Sequence, residues 1–357
     1  MSDRASDRQW RAGSAPSMVS LSPRRREAVR SLWRKIETGE YELEAAACLC
    51  GSTRGRLVAD HGRFGIPVTM RLCRRCGTLW QSPRLAPDSL RRFYQEDYRP
   101  IYVGPEATAD AFFSGQLERG KSVYDFVLSV GVFDAAGTAL DVGCGAGGVM
   151  AVFKEHGWQT AGCDPSVEMV ELGRSKGLDL TLGEVDSMAP SPGADLVILR
   201  HVLEHIAAPR DFLSGVSALL RPDGFVYVGV PGVFHTFDVK GCQGRLEFNV
   251  RVPHLYGFTL KTLSCLMAEC GFRLVKGTEE IDALYQKTPD AERVSCRGEA
   301  ARVSTYCRLL RLERWARRSR VGSAVQKLVA ALVRWLYRID LHGPVPRRTR
   351  SSGGRRG

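Results

Sequence analysis

Leu140-Asp141-Val142-Gly143-Cys144-Gly145-Ala146-Gly147-Gly148 is the stretch on which the reading of this chain turns. Thr138 to Val142 is a short apolar run of strand character, and Val149 to His156 continues as an amphipathic helix. The glycines therefore fall where the backbone must bend sharply and approach a ligand closely. The N–H groups that open the helix then face the bound molecule. Strand, glycine turn and helix N-terminus together make a cradle for a nucleotide-like ligand.

The loop alone does not name that ligand. Gly143-x-Gly145-x-x-Gly148 also meets the dinucleotide fingerprint of nicotinamide enzymes, and Asp164 supplies the acid that this fingerprint expects about 20 residues on. Three further features separate the readings. Asp141 ends the strand as D-x-G-x-G-x-G, an acid placed to neutralise a cationic ligand rather than a pyrophosphate. Ala194 to Leu199 is a second apolar run, and it leads into Arg200-His201-Val202-Leu203-Glu204-His205-Ile206. Leu220-Arg221-Pro222-Asp223-Gly224 then turns into the apolar strand Phe225 to Pro231. Taken in order, LDVGCGAGG, GCDPS, DLVILRHVLEHIAAPRDFL and LLRPDGFVYVGVP resemble the class I S-adenosylmethionine-dependent methyltransferases over roughly residues 121 to 287.

That resemblance implies an α/β fold with a doubly wound, Rossmann-like parallel sheet and a final antiparallel strand beside the last parallel one. The alternation of strand-like and helix-like runs predicts the same layering, with strands near 138–142, 158–163, 178–182, 194–199 and 224–230. Leu260 to Cys270 reads as a helix, Phe272 to Thr278 as a strand and Ile281 to Gln286 as the last strand. The resemblance also implies the cofactor's seat. Gly143, Gly145 and Gly147 would admit the methionine moiety, Asp141 would sit near its ammonium group, and Asp164 would accept from the ribose hydroxyls. Glu184 and Val185 fall where the family contacts adenine, with Asp186 competing for the polar role.

The histidines are the candidates for chemistry. His201-x-x-Glu204-His205 also spells an inverted zinc-protease motif, but it directly follows a buried strand of a cofactor-binding sheet, which excludes that reading. Glu204 and His205 either act on the acceptor or brace the loop. The segment also resembles that of ubiquinone-pathway and small-RNA 2′-O-methyltransferases, in which E-x-x-E-H holds a divalent metal. Here His201 replaces the first glutamate, and a catalytic metal on His201, Glu204 and His205 stands as an alternative. His254-Leu255-Tyr256-Gly257-Phe258-Thr259 resembles the H-x-x-x-F-[ST] segment of small-molecule methyltransferases. His254 either takes a proton from an acceptor hydroxyl or bonds a loop carbonyl, and Thr259 is an N-cap candidate.

Eleven cysteines without a secretory signal point to metal ligands and core thiols rather than disulfides. Cys48-Leu49-Cys50-Gly51 and Cys73-Arg74-Arg75-Cys76-Gly77 are two knuckles joined by a strand-like segment. Four converging thiolates make the closed tetrahedral site of structural Zn2+. With Gly77 to Arg84 and the tyrosine-rich run to Tyr98, the pattern resembles bacterial methyltransferases that carry an N-terminal zinc ribbon. The first pair departs from it as C-x-C, with Ala47 where a cysteine is expected and His61 as the substitute ligand. Cys144, Cys163, Cys265 and Cys270 read as buried apolar thiols. Cys242, Cys296 and Cys307 have no usable partner spacing.

The net charge of +12 resembles a nucleic-acid signal until it is located. Residues 290–357 hold 17 Arg or Lys against 5 Asp or Glu, so the remainder is balanced. A basic catalytic surface for phosphate backbones is not indicated. The expected organisation is a disordered and basic helical N-terminus over 1–43, a zinc-ribbon-like module and linker over 44–109, a methyltransferase domain over 110–289, and a basic helical extension with a disordered tail over 290–357. Ser323 to Ile339 is amphipathic and too charged to span a bilayer, so it packs on protein or lies on a membrane surface. The expected protein is cytoplasmic, with membrane-peripheral contact through 323–339 as a variant, and it acts on a small-molecule or glycan acceptor. An RNA acceptor clamped by the ribbon and the tail, or a non-catalytic binding protein of the same fold, are the alternatives.

Overall fold

The computed structural model describes residues 17–103, 109–188, 193–234, 246–289 and 294–318. The chain opens with helix α1 (Pro23–Glu37), in which Ser22 caps the N-terminus, Pro23 occupies the first turn, and Val29, Leu32 and Ile36 bury one face. Short strands follow: β1 (Leu43–Glu44), β2 (Gly55–His61), β3 (Pro67–Cys73), β4 (Leu79–Gln81) and β5 (Arg84–Leu85). Helix α2 (Pro87–Glu96), a π-turn (Arg99–Val103) and helix α3 (Ala109–Leu128) lead to the central domain.

There, β6 (Thr138–Val142), α4 (Gly148–Glu155), β7 (Gln159–Asp164), α5 (Val167–Ser175), β8 (Leu180–Leu182), β9 (Ala194–Arg200), α6 (Pro209–Leu219) and β10 (Leu220–Gly229) alternate as expected. After β11 (Tyr256–Gly257) come α7 (Leu260–Glu269), β12 (Phe272–Gly277), β13 (Asp282–Lys287) and α8 (Glu299–Arg318).

The sheet order is β12-β13-β10-β9-β6-β7-β8. The pairs β10–β9, β6–β9, β6–β7 and β7–β8 are parallel, whereas β13 runs antiparallel to both neighbours. The final strand is thus inserted between β10 and β12, as the resemblance implied. Leu196, Val197, Ile198 and Leu199 of β9 are all fully buried, the signature of a parallel strand covered on both faces. Strand order reverses at β6, flanked by β9 and β7, and the crevice at the carboxyl ends of these strands is the ligand position of such sheets.

A second sheet, β11-β4-β3-β2, joins the two halves of the molecule. Tyr256 and Gly257 of the catalytic half pair antiparallel with Trp80 and Leu79, and the Gln81 N–H donates to the Leu255 carbonyl at 2.8 Å. Helix α8 begins against the second cysteine knuckle. A Cβ on Gly77, whose φ is +84°, would lie 2.8 Å from the Ala300 nitrogen, so only glycine fits there.

Two expectations about cysteines need correction. Cys265 of α7 and Cys296 form a disulfide, with Cα atoms 6.4 Å apart. Cys265 is therefore not a free core thiol, and Cys296 has a partner after all; the bridge pins the start of α8 to the body. Cys144 and Cys163 are buried free thiols, Cys307 is buried, and Cys270 is half-buried. Cys242 and the amphipathic stretch 323–339 lie outside the described residues. Among the described residues no helix is long and apolar enough to cross a membrane.

Candidate active site

Gly143, Gly145 and Gly147 all take positive φ, at +74°, +57° and +78°. At Gly145 a side chain would also strike the Gln116 amide 2.6 Å away. Gln116 of α3 spans the loop, donating to the Cys144 carbonyl at 3.0 Å and accepting from the Gly148 N–H at 3.3 Å. Phe112 of the same helix approaches Gly145. Sequence reasoning missed this contact, because nothing in the periodicity of the helix says which loop it caps.

Asp164, at the end of β7, accepts from the Gly145 N–H at 2.8 Å and from the Ser166 N–H at 2.9 Å. It ties the glycine loop to its neighbouring strand while keeping lone pairs for a ligand. Asp141 is 2% exposed. Burial, then the nearby Asp164 charge, pushes its carboxyl up to about 7, against an opposing pull from Arg200. Burial raises Asp164 as well, although its two backbone donors resist the shift. A buried and a half-buried carboxylate, both with raised pKa values, make a crevice that favours a cationic ligand. Val185 is buried at the start of a 3₁₀ turn near Gly215 of α6, while Glu184 and Asp186 are exposed.

The histidines gather at the carboxyl end of β9. His201 has φ +56°, a left-handed conformation that turns the chain directly off the strand. Its Nδ1 lies 3.2 Å from Glu204 Oε1, and His205 Nε2 lies 3.7 Å from the same oxygen. Glu204 is 2% exposed; burial opposes its ionisation, but His205 and then His201 outweigh it and hold the carboxyl below its usual range. Both nitrogens of His205 face protein groups: Nε2 faces Glu204, and Nδ1 lies 2.8 Å from the Tyr94 hydroxyl and 2.9 Å from the Pro253 carbonyl.

His254 arrives from another part of the chain. The Leu255 N–H donates to the Glu204 carbonyl at 2.8 Å, and the His254 ring packs edge-on to His205 with centroids 4.9 Å apart. Its ring carries no hydrogen bond among the described residues. Burial, then the neighbouring His205 and Arg251, holds it well below the usual histidine range, so it is neutral with a lone pair to offer. Glu204, His254 and Asn249 line one small, partly open cleft of about 30 Å³. Sequence reasoning also missed the aromatic wall beside it. Tyr94, Tyr98 and Tyr102 stack in series, with centroids 5.2 and 5.6 Å apart, and Tyr98 lies within electrostatic reach of both Asp164 and Glu204.

The profile of a family described as "Methyltransferase domain" matches residues 111–276. The class I S-adenosylmethionine-dependent methyltransferases are the family of this central domain. Trans-aconitate 2-methyltransferase of Mycobacterium sp. (strain KMS) is 30% identical over 147 residues, 40% of this chain and 56% of that protein. C-methyltransferase NovU of Streptomyces niveus is 26% identical over 238 residues, 63% of this chain and 52% of that protein. The chain thus spans about half the length of the curated relatives it matches. Among solved structures, 1,6-didemethyltoxoflavin-N1-methyltransferase of Burkholderia thailandensis aligns at 16% identity, over 62% of this chain and 96% of that one, with a TM-score of 0.43.

Outside the methyltransferase domain, the four cysteines converge. Cys48, Cys50, Cys73 and Cys76 place one sulfur each within 4.8 Å of the others, with Cys48–Cys76 and Cys50–Cys73 both at 3.5 Å. The C-x-C spacing reaches the centre because the Cys48 N–H closes a turn on Ser52. Hydrogen bonding from Cys48, helped by Thr78, pulls Cys76 down to about 5, which makes it the readiest thiolate. His61 is not part of the cluster; its ring bonds Asp60 on β2.

Proposed function

We propose that this chain transfers a methyl group from S-adenosylmethionine to a hydroxyl of a small molecule or saccharide precursor, with His254 accepting the hydroxyl proton. The observation that carries the reading is the neutral, cleft-facing His254 braced against the Glu204–His205 pair, at the strand ends beside the glycine loop. Supporting it, the curated relatives are named for small-molecule methylation, and the charge balance of the body argues against an RNA backbone. The test is mass-spectrometric detection of a methylated product across candidate acceptors.

Asp141 and Asp164 suit the ammonium and ribose of S-adenosylmethionine, because burial and the Asp164 charge keep Asp141 raised despite the pull of Arg200, and a cationic group would relieve that. When bound, that molecule supplies an activated methyl group. The remaining work is positioning and water exclusion. The glycine loop holds the donor end, Tyr98 lies between donor and acceptor sides, and Glu204 steadies His205 so that its ring fixes the orientation of His254. The NovU match extends beyond the catalytic domain and favours a second reading, a carbon acceptor, for which the same histidine would remove a C–H proton. The four cysteines would hold one structural Zn2+, since four sulfurs fill a tetrahedral shell and leave no open position.

Asp164→Ala should weaken S-adenosylmethionine binding by about 1.5–3 kcal/mol, the scale of hydrogen bonds to a charged group. Calorimetry giving unchanged affinity would remove Asp164 from the cofactor site, and NAD should not bind. A pH dependence follows from Asp141. Its carboxyl, at about 7 in the free protein, must lose its proton to receive a cation. Affinity should therefore fall by up to about tenfold per pH unit below 7 and level off above it. The ligand-free fold should show the opposite trend: it retains a proton that the unfolded chain has already released, so stability declines as pH rises from about 4 to 7. An affinity flat from pH 5.5 to 8 would contradict this assignment.

A further inference from the structure

Three arginines from three separate segments meet around one aromatic pair beside the acceptor cleft. Phe64, in the turn between β2 and β3, and Tyr102 have ring centroids 5.3 Å apart. Arg25 of α1 stacks over Phe64 at 5.8 Å, Arg63 over Phe64 at 5.4 Å and over Phe248 at 4.5 Å, and Arg251 over Tyr102 at 5.9 Å. The Nε atoms of Arg25 and Arg251 and the amide nitrogen of Asn249 are buried and make no hydrogen bond among the described residues. A buried donor left unmade costs free energy comparable to a lost hydrogen bond, more so for a charged group. Arg63 and Glu247 each make a further contact, and Glu204 is engaged with His201 and His205.

The seat is continuous with the reaction centre. Asn249 lines the cleft together with Glu204 and His254, the His254 N–H bonds the Arg251 carbonyl at 3.1 Å, and the Arg251 charge reaches both His205 and His254. Guanidinium groups fixed by stacking present their N–H edges in a plane, the geometry that receives phosphate or carboxylate oxygens.

We propose that Arg25, Arg63 and Arg251, with Asn249, bind an anionic group of the acceptor, a phosphate or a carboxylate, and so hold its reactive atom against His254. This rests on the acceptor site described above and adds the charge of its substrate. It also gives both N-terminal segments a part in recognition, because Arg25 belongs to the opening helix and Arg63 to the cysteine module.

The experiment titrates inorganic phosphate, and separately succinate, into full-length protein saturated with S-adenosylhomocysteine. Binding is expected, weakened by added salt and reduced about tenfold or more by Arg25→Ala and by Arg251→Ala. Tighter phosphate identifies a phosphate-bearing acceptor and tighter succinate a carboxylate-bearing one; either supports the seat. S-adenosylhomocysteine affinity checks the fold of each variant and tests the methyltransferase reading independently. If the Arg251→Ala variant fails that check, Arg251→Gln, which keeps a planar head over Tyr102, takes its place. Absence of binding by both anions, or binding that survives these substitutions in folded protein, overturns the proposal.

Discussion

His254→Ala should lower the rate of methyl transfer by about 10²–10⁴ while leaving S-adenosylmethionine affinity nearly unchanged, because the base acts on the acceptor and not on the donor. His205→Ala should behave differently. Its ring lies 3.7 Å from a carboxylate that is 2% exposed, and burial favours the neutral imidazole, so its removal takes a polar neighbour from Glu204 and leaves it beside only the half-exposed His201. That costs about 1–3 kcal/mol of stability, together with turnover. Measuring kcat, donor affinity and melting temperature on both variants separates the two roles. The pH profile adds a sign. Since burial holds His254 well below the usual histidine range, it sheds its proton at lower pH than a free histidine. The acidic limb assigned to it should therefore lie below about 6.5, with donor saturated so that Asp141 does not contribute. A silent His254→Ala would return catalysis to proximity and desolvation alone. Activity abolished by chelator and restored by a divalent ion in zinc-replete protein would instead support the metal alternative.

What was legible in the sequence was whatever is encoded locally. The strand, the glycine turn and the acid at Asp164 lie within one supersecondary unit, so their spacing alone specifies the crevice. The alternation of apolar runs set the order of layers. The meeting of His254 with His205 was not legible as a contact, because it depends on a backbone hydrogen bond between Leu255 and Glu204, far apart in the chain. Likewise β11 contributes only Tyr256 and Gly257, too short for any period to show. The Cys265–Cys296 bridge joins a cysteine on an apolar helix face to one in a polar segment, and neither environment announces a partner. Gln116 reads as an ordinary helix residue until α3 is seen lying across the glycine loop.

Replacing Cys73 and Cys76 together by serine should remove one equivalent of zinc per chain and, with it, most of the transfer activity, while S-adenosylmethionine still binds. The two effects separate because of where the knuckle sits. Cys73 ends β3, and Cys76 precedes β4, whose Leu79 and Trp80 pair with Gly257 and Tyr256. The Gln81 N–H in turn bonds the Leu255 carbonyl, next to His254. A structural zinc site contributes about 10–16 kcal/mol of apparent binding free energy to the segment that it organises. Losing it should release β4 from β11 and displace His254 from His205, and should also loosen the turn that carries Phe64 and Arg63. The glycine loop, Asp141 and Asp164 are built on β6 and β7, outside that sheet, and should keep their donor site. Elemental analysis, calorimetry with S-adenosylmethionine and a turnover assay on the same preparation decide it. Full zinc content in the double variant would remove these cysteines from the metal site. Loss of donor binding in step with turnover would show instead that the knuckle supports the whole fold rather than the acceptor side.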